Sequence, residues 1–411
     1  MNTPLPAMDA EPLFAGLKVI DCATYIAAPT AATVFADFGA EVIKIEAPGE
    51  GDPWRHLHMR PGLPNSPHNY TWLMDNRNKL GLAVDLKAAA GRDVLERLVS
   101  QADIFITNLP LPVRERLRVR YSDFADKYPR LIYGSFTAYG EEGEESGKTG
   151  FDLTAYWGRS GLMDQVRPDH TAMPARAVGG MGDHPTGMAF YAGLLTALYK
   201  RDRTGNGAEV RSSLLGNGMW ANAMLVQAVL CGATIPPRLP RGQTIHALGG
   251  TYRTGDDRWF MLTLTSELRQ WPALARAVGR PDLPADPRFI DADTRRANAI
   301  ALMQILDDIF AQHPLAHWRK TLDAAGLTFG IVGTVEEVAN DPQAHAAGIL
   351  RPIEGTGLLT IDSPFTVNTI PKVPITAAPD HGEHSGRILQ GAGYSAAEIA
   401  ALRASGAVTG G

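Results

Sequence analysis

Residues 17–46, LKVIDCATYIAAPTAATVFADFGAEVIKIE, decide the fold. Leu17–Asp21 and Glu41–Glu46 are short apolar runs of the kind that form buried strands. Between them Thr30–Phe38 has the pattern of a helix, which Gly39 would end. Two strands joined by a helix predict a right-handed parallel crossover. The chain therefore begins as an α/β protein.

The same alternation continues to about residue 140. Predicted strands cover Leu80–Asp85, Asp103–Thr107 and Leu131–Phe136, and Ala88–Gln101 is predicted as a helix with one apolar face. Apolar strands separated by helices predict a mostly parallel sheet covered on both faces. Further along, His184–Arg201 is apolar nearly all round, which predicts a buried helix.

Changes in composition divide the 411 residues into four segments. We predict a large α/β domain over 1–205, followed by a linker helix and an extended Pro-rich linker over 206–250. A small domain is predicted over 251–340. Residues 341–411 are predicted to return to the large domain.

Composition and charge exclude several classes of protein. The chain is 45% hydrophobic and 20% charged, which is typical of a globular protein and not of a disordered one. A net charge of −5 is not the footprint of a nucleic-acid-binding protein. The 11 histidines have no zinc-site spacing beside cysteines. We therefore expect neither a nucleic-acid partner nor a metal.

The cysteine count and the apolar runs indicate the compartment. Cys22 and Cys231 alone cannot form a disulfide framework, and a reducing compartment is expected. The start, MNTPLPAMDAEP, lacks the pattern of a signal peptide. The longest apolar run, Met188–Tyr199, is far shorter than the ~20 residues of a membrane span. These features predict a cytoplasmic protein with no membrane partner.

Three common catalytic or nucleotide-binding motifs are absent. The first strand–helix turn reads CATYIAAPT and lacks the glycines of a dinucleotide site. The chain also contains no Walker A loop and no GxSxG nucleophile elbow. These absences disfavour NAD oxidoreductases, P-loop NTPases and typical hydrolases.

Asp183 is the acidic residue whose surroundings are most informative. It follows Gly179–Gly182 and immediately precedes the predicted helix. One interpretation is an N-cap, whose carboxylate accepts hydrogen bonds from helix amides. The other is a nucleophile, because glycines let a substrate carbonyl approach the main chain, where amides could stabilise an oxyanion.

Two further acidic residues have both structural and functional interpretations. Asp152 follows the polar loop Gly140–Gly150 and is suited to a cap or a turn. Glu46 ends a predicted strand at the carboxyl edge of the sheet, where ligands of α/β proteins bind. A pair with Lys44 on the same face of the strand is the structural alternative.

Several motifs together resemble the family III CoA-transferases, in order along nearly the whole chain. The resemblance begins with the opening strand–helix–strand segment. It continues through Gly51-Asp52, Asn78-Lys79, Asp85–Lys87, Ala102–Asn108, Pro129–Tyr133, Gly182-Asp183, Arg201–Gly207, Asn340–Gln343 and Gly382–His384.

The resemblance implies a fold and a reaction. The fold would be a Rossmann-like large domain built from both chain ends plus a smaller α+β domain, in an interlocked homodimer. The reaction would move coenzyme A from an acyl-CoA donor to a carboxylic acid acceptor, without a metal or redox cofactor. Asp183 would attack the thioester, giving a mixed anhydride and then an aspartyl-CoA thioester. Candidate oxyanion donors are the amides around Gly180 and Gly182 or Gly249 and Gly250.

The resemblance also implies where CoA and the acid would bind. The residues that correspond to the family's CoA contacts are Tyr25, Ile26, Ala27, Val84, Asn108, Leu109, Arg116 and Lys148. An apolar acyl pocket could be lined by Tyr25, Leu57, Tyr156 and Trp157. Core packing is the alternative for the last two. Ile26 argues against a small, doubly charged acceptor such as oxalate, and the motifs are most similar to those of transferases for aryl- or branched 2-hydroxyacyl-CoA, such as the cinnamoyl/phenyllactate type.

Three other functions remain alternatives at this point. In the racemases of the same fold, a histidine from the loop that corresponds to Gly140–Gly150 works with the aspartate of a Gly-His-Asp motif. Asp152 matches that aspartate, but Phe151 replaces the motif histidine and the loop contains no histidine. The chain could instead be a non-catalytic CoA-binding subunit of a heteromeric transferase. A nucleotide-binding regulatory protein without chemistry is the third alternative.

Overall fold

The structure is a computed structural model and describes residues 11–411. The first ten residues, which carry most of the segment without a signal-peptide pattern, lie outside the described residues.

Twelve strands form within the described residues. They are Lys18–Cys22 (β1), Glu41–Glu46 (β2), Leu80–Val84 (β3), Ile104–Thr107 (β4), Ile132–Thr137 (β5), Ala208–Ser213 (β6), Thr251–Arg253 (β7), Trp259–Leu262 (β8), Phe329–Ile331 (β9), Leu350–Pro352 (β10), Leu359–Ile361 (β11) and Val408–Thr409 (β12).

Seventeen α-helices lie in the same range, together with several shorter helical turns. The α-helices are Ala27–Asp37 (α1), Tyr70–Asn76 (α2), Ala89–Val99 (α3), Leu111–Leu117 (α4), Tyr121–Phe124 (α5), Leu162–Gln165 (α6), Asp183–Thr204 (α7), Leu214–Ala221 (α8), Ala223–Leu230 (α9), Glu267–Ala277 (α10), Ala292–Ala297 (α11), Ala299–Phe310 (α12), Leu315–Ala324 (α13), Val335–Ala339 (α14), Pro342–Ala346 (α15), Ser385–Gly391 (α16) and Ala396–Ala404 (α17). A π-helical turn covers Asp152–Gly158, and 3₁₀ turns cover Pro53–Met59, Arg241–Gln243, Ala247–Gly249 and Leu283–Ala285.

The chain divides into two compact units. The first takes the described chain up to Val166 together with Pro174–Thr234 and Ala346–Gly411. The second consists of Arg167–Met173 and Ile235–His345.

A seven-stranded sheet organises the first unit, in the order β12-β3-β2-β1-β4-β5-β6. Strands β1 to β6 pair in parallel, whereas β12, from the end of the chain, pairs antiparallel with β3. The direction of strand order reverses between β1 and β4, and such a reversal opens a crevice at the carboxyl ends of the two strands. The predicted α/β fold with a mostly parallel sheet is confirmed.

Two hydrophobic layers cover the two faces of this sheet. Successive residues of a strand point to opposite faces, so Val19 of β1 packs in the layer with α1 and α7, while Ile20 packs in the layer with α3 and α16. This alternation explains why the strands are apolar throughout.

Two details of the first unit differ from the sequence analysis. Ala208–Ser213, inside the predicted linker over 206–250, is edge strand β6, which the pattern missed because its residues are largely polar and only half-buried. The prediction of a helix buried on all sides is also wrong for this chain. Helix α7 buries one face, which includes Phe190 and Leu194, whereas Tyr199 on another face is 64% exposed.

The second unit has its own core. An antiparallel sheet of β7, β8 and β9 packs with α10, α12 and α13 around aromatic side chains that include Phe260 and Phe310. Gly249 and Gly250 belong to this unit, at the 3₁₀ turn that precedes β7.

Candidate active site

Asp183 is the first residue of α7, directly after the N-cap Gly182. The N-cap interpretation of Asp183 is therefore wrong: the cap is a glycine, and no side chain caps this helix. At the N-terminus of a 22-residue helix, the Asp183 carboxyl group lies at the positive end of the helix dipole.

The turn that leads into Asp183 is held by Asp152. The buried Asp152 carboxylate accepts hydrogen bonds through Oδ2 from the amides of Gly180, at 2.7 Å, and Gly182, at 3.3 Å. The structural interpretation of Asp152 is thus supported. It also removes the Gly180 and Gly182 amides as free oxyanion donors, because a side-chain carboxylate already occupies both.

Gly182 is required by its close contact with Tyr156. A Cβ atom on Gly182 would lie 2.6 and 2.7 Å from two ring atoms of Tyr156 and 3.0 Å from its Cβ, and the two shorter distances are ones that real Cβ atoms essentially never show. Tyr156 is buried in the core layer, and the Trp157 ring lies 5.9 Å from it. The π-helical turn therefore supports the Gly-Asp turn twice, through the Asp152 carboxylate and through the Tyr156 ring.

His184 links this turn to helix α2. Its Nδ1 lies 3.0 Å from the carbonyl oxygen of Gly180, and its Nε2 lies 3.0 Å from Oδ1 of Asp75. The second carboxylate oxygen of Asp75 accepts a hydrogen bond from Trp54 Nε1 at 2.9 Å. Neither Asp75 nor Trp54 was identified from the sequence.

The electrostatics of this cluster shift the pKa of Asp183 strongly. Burial, reinforced by the negative charge of Asp152, raises the pKa of Asp183 to about 7, and the neighbouring His184 opposes that rise. Burial alone would lower the pKa of His184, but the hydrogen bond and charge of Asp75 outweigh burial and raise it above its ordinary value. The nucleophile candidate thus titrates near neutral pH.

The loop after β1 reaches the same place. Asn108, just beyond β4, receives a hydrogen bond from the Thr24 amide at 2.8 Å and donates one to the Thr24 carbonyl at 2.7 Å. Tyr25 adopts a left-handed backbone with φ 64°, and its ring packs edge-on against Phe151 at 5.4 Å. Ile26 is buried and lies beside Gly180. The loop, the crevice between β1 and β4, and the Gly-Asp turn therefore form one continuous region.

The other predicted contact residues differ in their accessibility. Ala27 begins α1 and is buried, and Leu57 packs partly buried against the cluster of Ile26, Trp54 and Trp72. Leu109, next to Asn108, is half-buried.

The three remaining residues predicted to bind CoA differ in how exposed their side chains are. Val84 is 1% exposed and packs its side chain into the core layer with α3, so its side chain cannot reach a ligand. Arg116 is exposed on α4, and Lys148 is exposed and paired with Glu145 at 2.9 Å.

A network of buried ion pairs lies next to the site. Lys79 Nζ lies 2.8 Å from Asp21, and Lys44 Nζ lies 2.8 Å from Asp52. Burial lowers the pKa of Lys79 to about 8, although Asp21 opposes the shift. The suggested Lys44–Glu46 pair does not form, because Glu46 binds Arg55 through two hydrogen bonds of 2.7 Å.

Neither a metal cluster nor a membrane-spanning helix is found in the part of the chain that the structure describes. Within residues 11–411, no group of three or more His, Cys, Asp or Glu side chains could hold a metal ion. In the same range, every helix is too short or too polar to cross a bilayer.

Comparisons with known proteins identify the site's relatives. A family model described as CoA-transferase family III matches residues 14–385. The (R)-2-hydroxy-4-methylpentanoate CoA-transferase of Clostridioides difficile is 32% identical, with 94% of this chain and 97% of that protein covered. The cinnamoyl-CoA:phenyllactate CoA-transferase of Clostridium sporogenes is 31% identical, with 95% and 96% covered. A CAIB/BAIF family protein from Brucella suis has a similar structure, with a TM-score of 0.82 at 26% identity, and 93% of this chain and all of that chain are covered.

Proposed function

The chain belongs to CoA-transferase family III, and from this membership we propose that it transfers coenzyme A from an acyl-CoA donor to a free carboxylic acid with Asp183 as the nucleophile. The observation that carries the proposal is the position of Asp183. It stands at a helix N-terminus, on a turn fixed by Asp152, with a pKa raised to about 7. A carboxylate of that basicity is a better nucleophile than an ordinary aspartate, and about half of it is ionised at neutral pH.

The proposed reaction uses Asp183 in two covalent intermediates. A carboxylate oxygen of Asp183 attacks the thioester carbonyl carbon and forms a C–O bond. The C–S bond breaks, CoA leaves as the thiolate, and a mixed anhydride of Asp183 and the donor acyl group remains. The thiolate then attacks the Asp183 acyl carbon, which releases the donor acid and leaves an aspartyl-CoA thioester. The acceptor carboxylate attacks that thioester and forms a second anhydride, and the released thiolate takes the acceptor acyl group. Asp183 is regenerated as the carboxylate.

Oxyanions form at both carbonyl carbons and need hydrogen-bond donors. Since the amides of Gly180 and Gly182 are bound to Asp152, we assign these glycines to shaping the turn. Gly249 and Gly250 stay the oxyanion donors that the family resemblance implies.

CoA would bind along the crevice between β1 and β4. We propose that the main chain of Tyr25, Ile26 and Ala27 on one side, and Asn108 and Leu109 on the other, contact the cofactor portion. The exposed side chains of Arg116 and Lys148 are suited to its phosphates because they are cationic and accessible. Val84 could contribute only its main chain.

The acyl group is proposed to be branched or aromatic, with a 2-hydroxy substituent on one partner. The names of the two relatives describe acids with a branched or an aryl side chain. In this chain, Ile26 and Leu57 pack with Trp54 and Trp72 in an apolar cluster beside the site, and such a lining favours an apolar side chain over a second carboxylate.

Intact-protein mass spectrometry tests the proposal. The protein is incubated with a panel of acyl-CoAs, including aryl and branched 2-hydroxyacyl donors, and adducts are trapped with hydroxylamine or borohydride. We expect an adduct on the peptide that contains Asp183, its loss in Asp183→Ala, and its retention in Asp93→Ala, which changes an exposed aspartate of α3. The donors that label the protein define the substrate class.

Other outcomes of this experiment distinguish the alternatives. Exchange of the α-proton of an acyl-CoA without CoA transfer would indicate a racemase. CoA binding with no adduct from any donor would indicate a silent subunit or a regulatory protein. Either result would overturn Asp183 as a nucleophile in this chain.

The assembly is proposed to be an interlocked homodimer. Helix α9 buries no residue within the described chain, and Trp220 of α8 and Met224 of α9 are 82% and 80% exposed. Apolar patches of this kind mark interaction surfaces. The cytoplasmic location expected from the cysteine usage stays a prediction.

A further inference from the structure

His184, the residue after the proposed nucleophile, has a hydrogen-bond acceptor at each ring nitrogen. Nδ1 lies 3.0 Å from the Gly180 carbonyl oxygen and Nε2 lies 3.0 Å from Asp75 Oδ1. A neutral imidazole carries only one N–H, whereas the imidazolium carries two. Both nitrogens can donate hydrogen bonds to these two oxygens only when each of them carries a proton.

The side chain of Asp75 is a hydrogen-bond acceptor. It is buried at the end of α2, and Trp54 Nε1 donates to Oδ2 at 2.9 Å while Thr30 Oγ1 lies 3.4 Å from Oδ1. The ammonium group of Lys79 is bound to the main-chain carbonyl of Asp75 at 2.9 Å. Hydrogen-bond donors thus approach Asp75 from several elements, and its carboxyl oxygens act as acceptors toward Trp54 and Thr30.

We propose that Asp75 holds His184 as an imidazolium and that this cation increases the ionised fraction of Asp183 at neutral pH. The inference rests on the proposed function insofar as it assigns His184 and Asp75 as positioning residues for the nucleophile. The negative groups that face the pair are Asp152, from the π-helical turn, and Asp75, from α2. The cations Lys79 and Arg77 interact with Asp75. For Asp183, His184 is the cation that offsets the two negative groups.

The directions of the pKa shifts agree with this assignment. Asp75 raises the pKa of His184 in spite of burial. Burial, Asp152 and Asp75 raise the pKa of Asp183, and His184 lowers it. A neutral residue at position 184 should therefore raise the pKa of Asp183 further.

The first experiment measures the charge of His184 in the free enzyme. NMR of protein labelled with ¹⁵N in its histidine rings distinguishes imidazolium from the neutral tautomers, and His184→Gln identifies the signal. We expect both nitrogens of His184 to stay protonated at pH 7, above the ordinary histidine pKa of about 6.5. We expect Asp75→Asn to make the ring neutral at that pH. A neutral His184 at pH 7 in the wild type would overturn the proposal.

The second experiment measures the effect on Asp183. The carboxyl carbon of ¹³C-labelled Asp183, assigned with Asp183→Asn, is titrated in the wild type, in His184→Gln and in His345→Gln, which changes an exposed histidine of α15. We expect the midpoint to rise by about one pH unit in His184→Gln, a tenfold loss of ionised carboxylate at lower pH, and no change in the control. An unchanged midpoint in His184→Gln would overturn the proposal.

The adduct assay separates this inference from the proposed function. We expect His184→Gln to form the Asp183 adduct about tenfold more slowly at pH 6.5 and to approach the wild-type rate by pH 9, because ionisation is restored there. An equal loss at every pH would indicate a merely structural role and contradict the proposal. A wild type that forms no adduct would contradict the proposed function, and the two NMR titrations would still decide the charge of His184.

Discussion

At the scale of single residues, the chemical role proposed for Asp183 comes with a cost in stability. Its pKa in the folded protein is about 7, against an ordinary value of 3.8, and burial is the leading cause. A carboxyl group with a raised folded pKa stabilises the fold at pH values below its unfolded pKa. That contribution is lost as the pH rises through the folded pKa. Above pH 7 the ionised Asp183 therefore destabilises the protein relative to a neutral isostere.

We predict that Asp183→Asn is more stable than the wild type at pH 8. The pKa shift of Asp183 corresponds to a difference in the free energy of unfolding of at most about 4 kcal/mol. Because the side chain is only half-buried, solvent should reduce this difference to about 1–3 kcal/mol. The difference in the free energy of unfolding, measured with urea, should be smallest below pH 4. It should grow with pH and level off above about pH 7.

The matched control for this prediction is Asp93→Asn, on the exposed surface of α3. It should show no such trend with pH. A stability difference between Asp183→Asn and the wild type that stayed constant from pH 4 to pH 8 would contradict the raised pKa.

The sequence was informative about Asp183 and much less so about its partners. The glycines directly before Asp183 made it a candidate nucleophile, because a glycine-rich turn before a helix can be recognised from neighbouring residues in the sequence. Asp75 lies 109 residues from His184, and Trp54 lies 21 residues from Asp75, and no local pattern relates residues so far apart. The occupation of the Gly180 and Gly182 amides by Asp152 also depends on a contact across 28 to 30 residues.

At the scale of elements, the crossing of α1 and α7 positions Asp183, the proposed nucleophile. Both helices lie in one hydrophobic layer, where α1 contributes Ala28, Ala31 and Ala32. At Gly187 of α7, a Cβ atom would lie 2.7 Å from the carbonyl oxygen of Ala27 and 2.8 Å from Cβ of Thr30. The close approach of these helices thus depends on a glycine one turn after Asp183.

We predict that Gly187→Ala destabilises the protein by about 1–3 kcal/mol, as overpacking does, although alanine has the higher helix propensity. Because Thr30 also approaches Asp75, adduct formation at Asp183 should fall as well. Thermal and urea unfolding measure the first effect and the mass-spectrometric assay the second. Gly391→Ala in α16, where nothing lies within 4 Å of the added atom, should unfold like the wild type. Equal stability of Gly187→Ala and Gly391→Ala would contradict the close contact between α1 and α7 at Gly187.

Elements were predictable where the apolar pattern was strong. The strand predicted at Glu41–Glu46 is β2 with the same bounds, and those predicted at Leu17–Asp21 and Leu80–Asp85 are within one residue of β1 and β3. Helix α1 begins at Ala27, three residues earlier than predicted. Strand β6 was missed because an edge strand buries little and carries polar residues, so its sequence resembles that of a linker.

At the scale of the whole molecule, the first unit is assembled from distant parts of the chain. Strand β12, from the last residues, pairs with β3, and both segments of the second unit lie between these two strands in the sequence. A chain that leaves a domain and returns to it is compatible with the interlocked dimer that the family resemblance implies. The exposed apolar side chains of α8 and α9 are the surface that such a dimer would cover.

Interlocking has a consequence that an ordinary dimer lacks, because two threaded chains separate only if a chain unfolds. We predict that the protein, with a chain mass of 44.2 kDa, stays dimeric by light scattering after dilution to nanomolar concentration. The double variant Trp220→Arg with Met224→Glu should yield mostly monomer or aggregate when refolded from urea, since it places charges where an apolar surface must be covered. Met59→Glu, at another exposed methionine of the first unit, should refold to the wild-type dimer. A wild type that is monomeric, or that dissociates on dilution, would contradict the interlocked assembly and leave the catalytic role of Asp183 to be decided by the adduct assay alone.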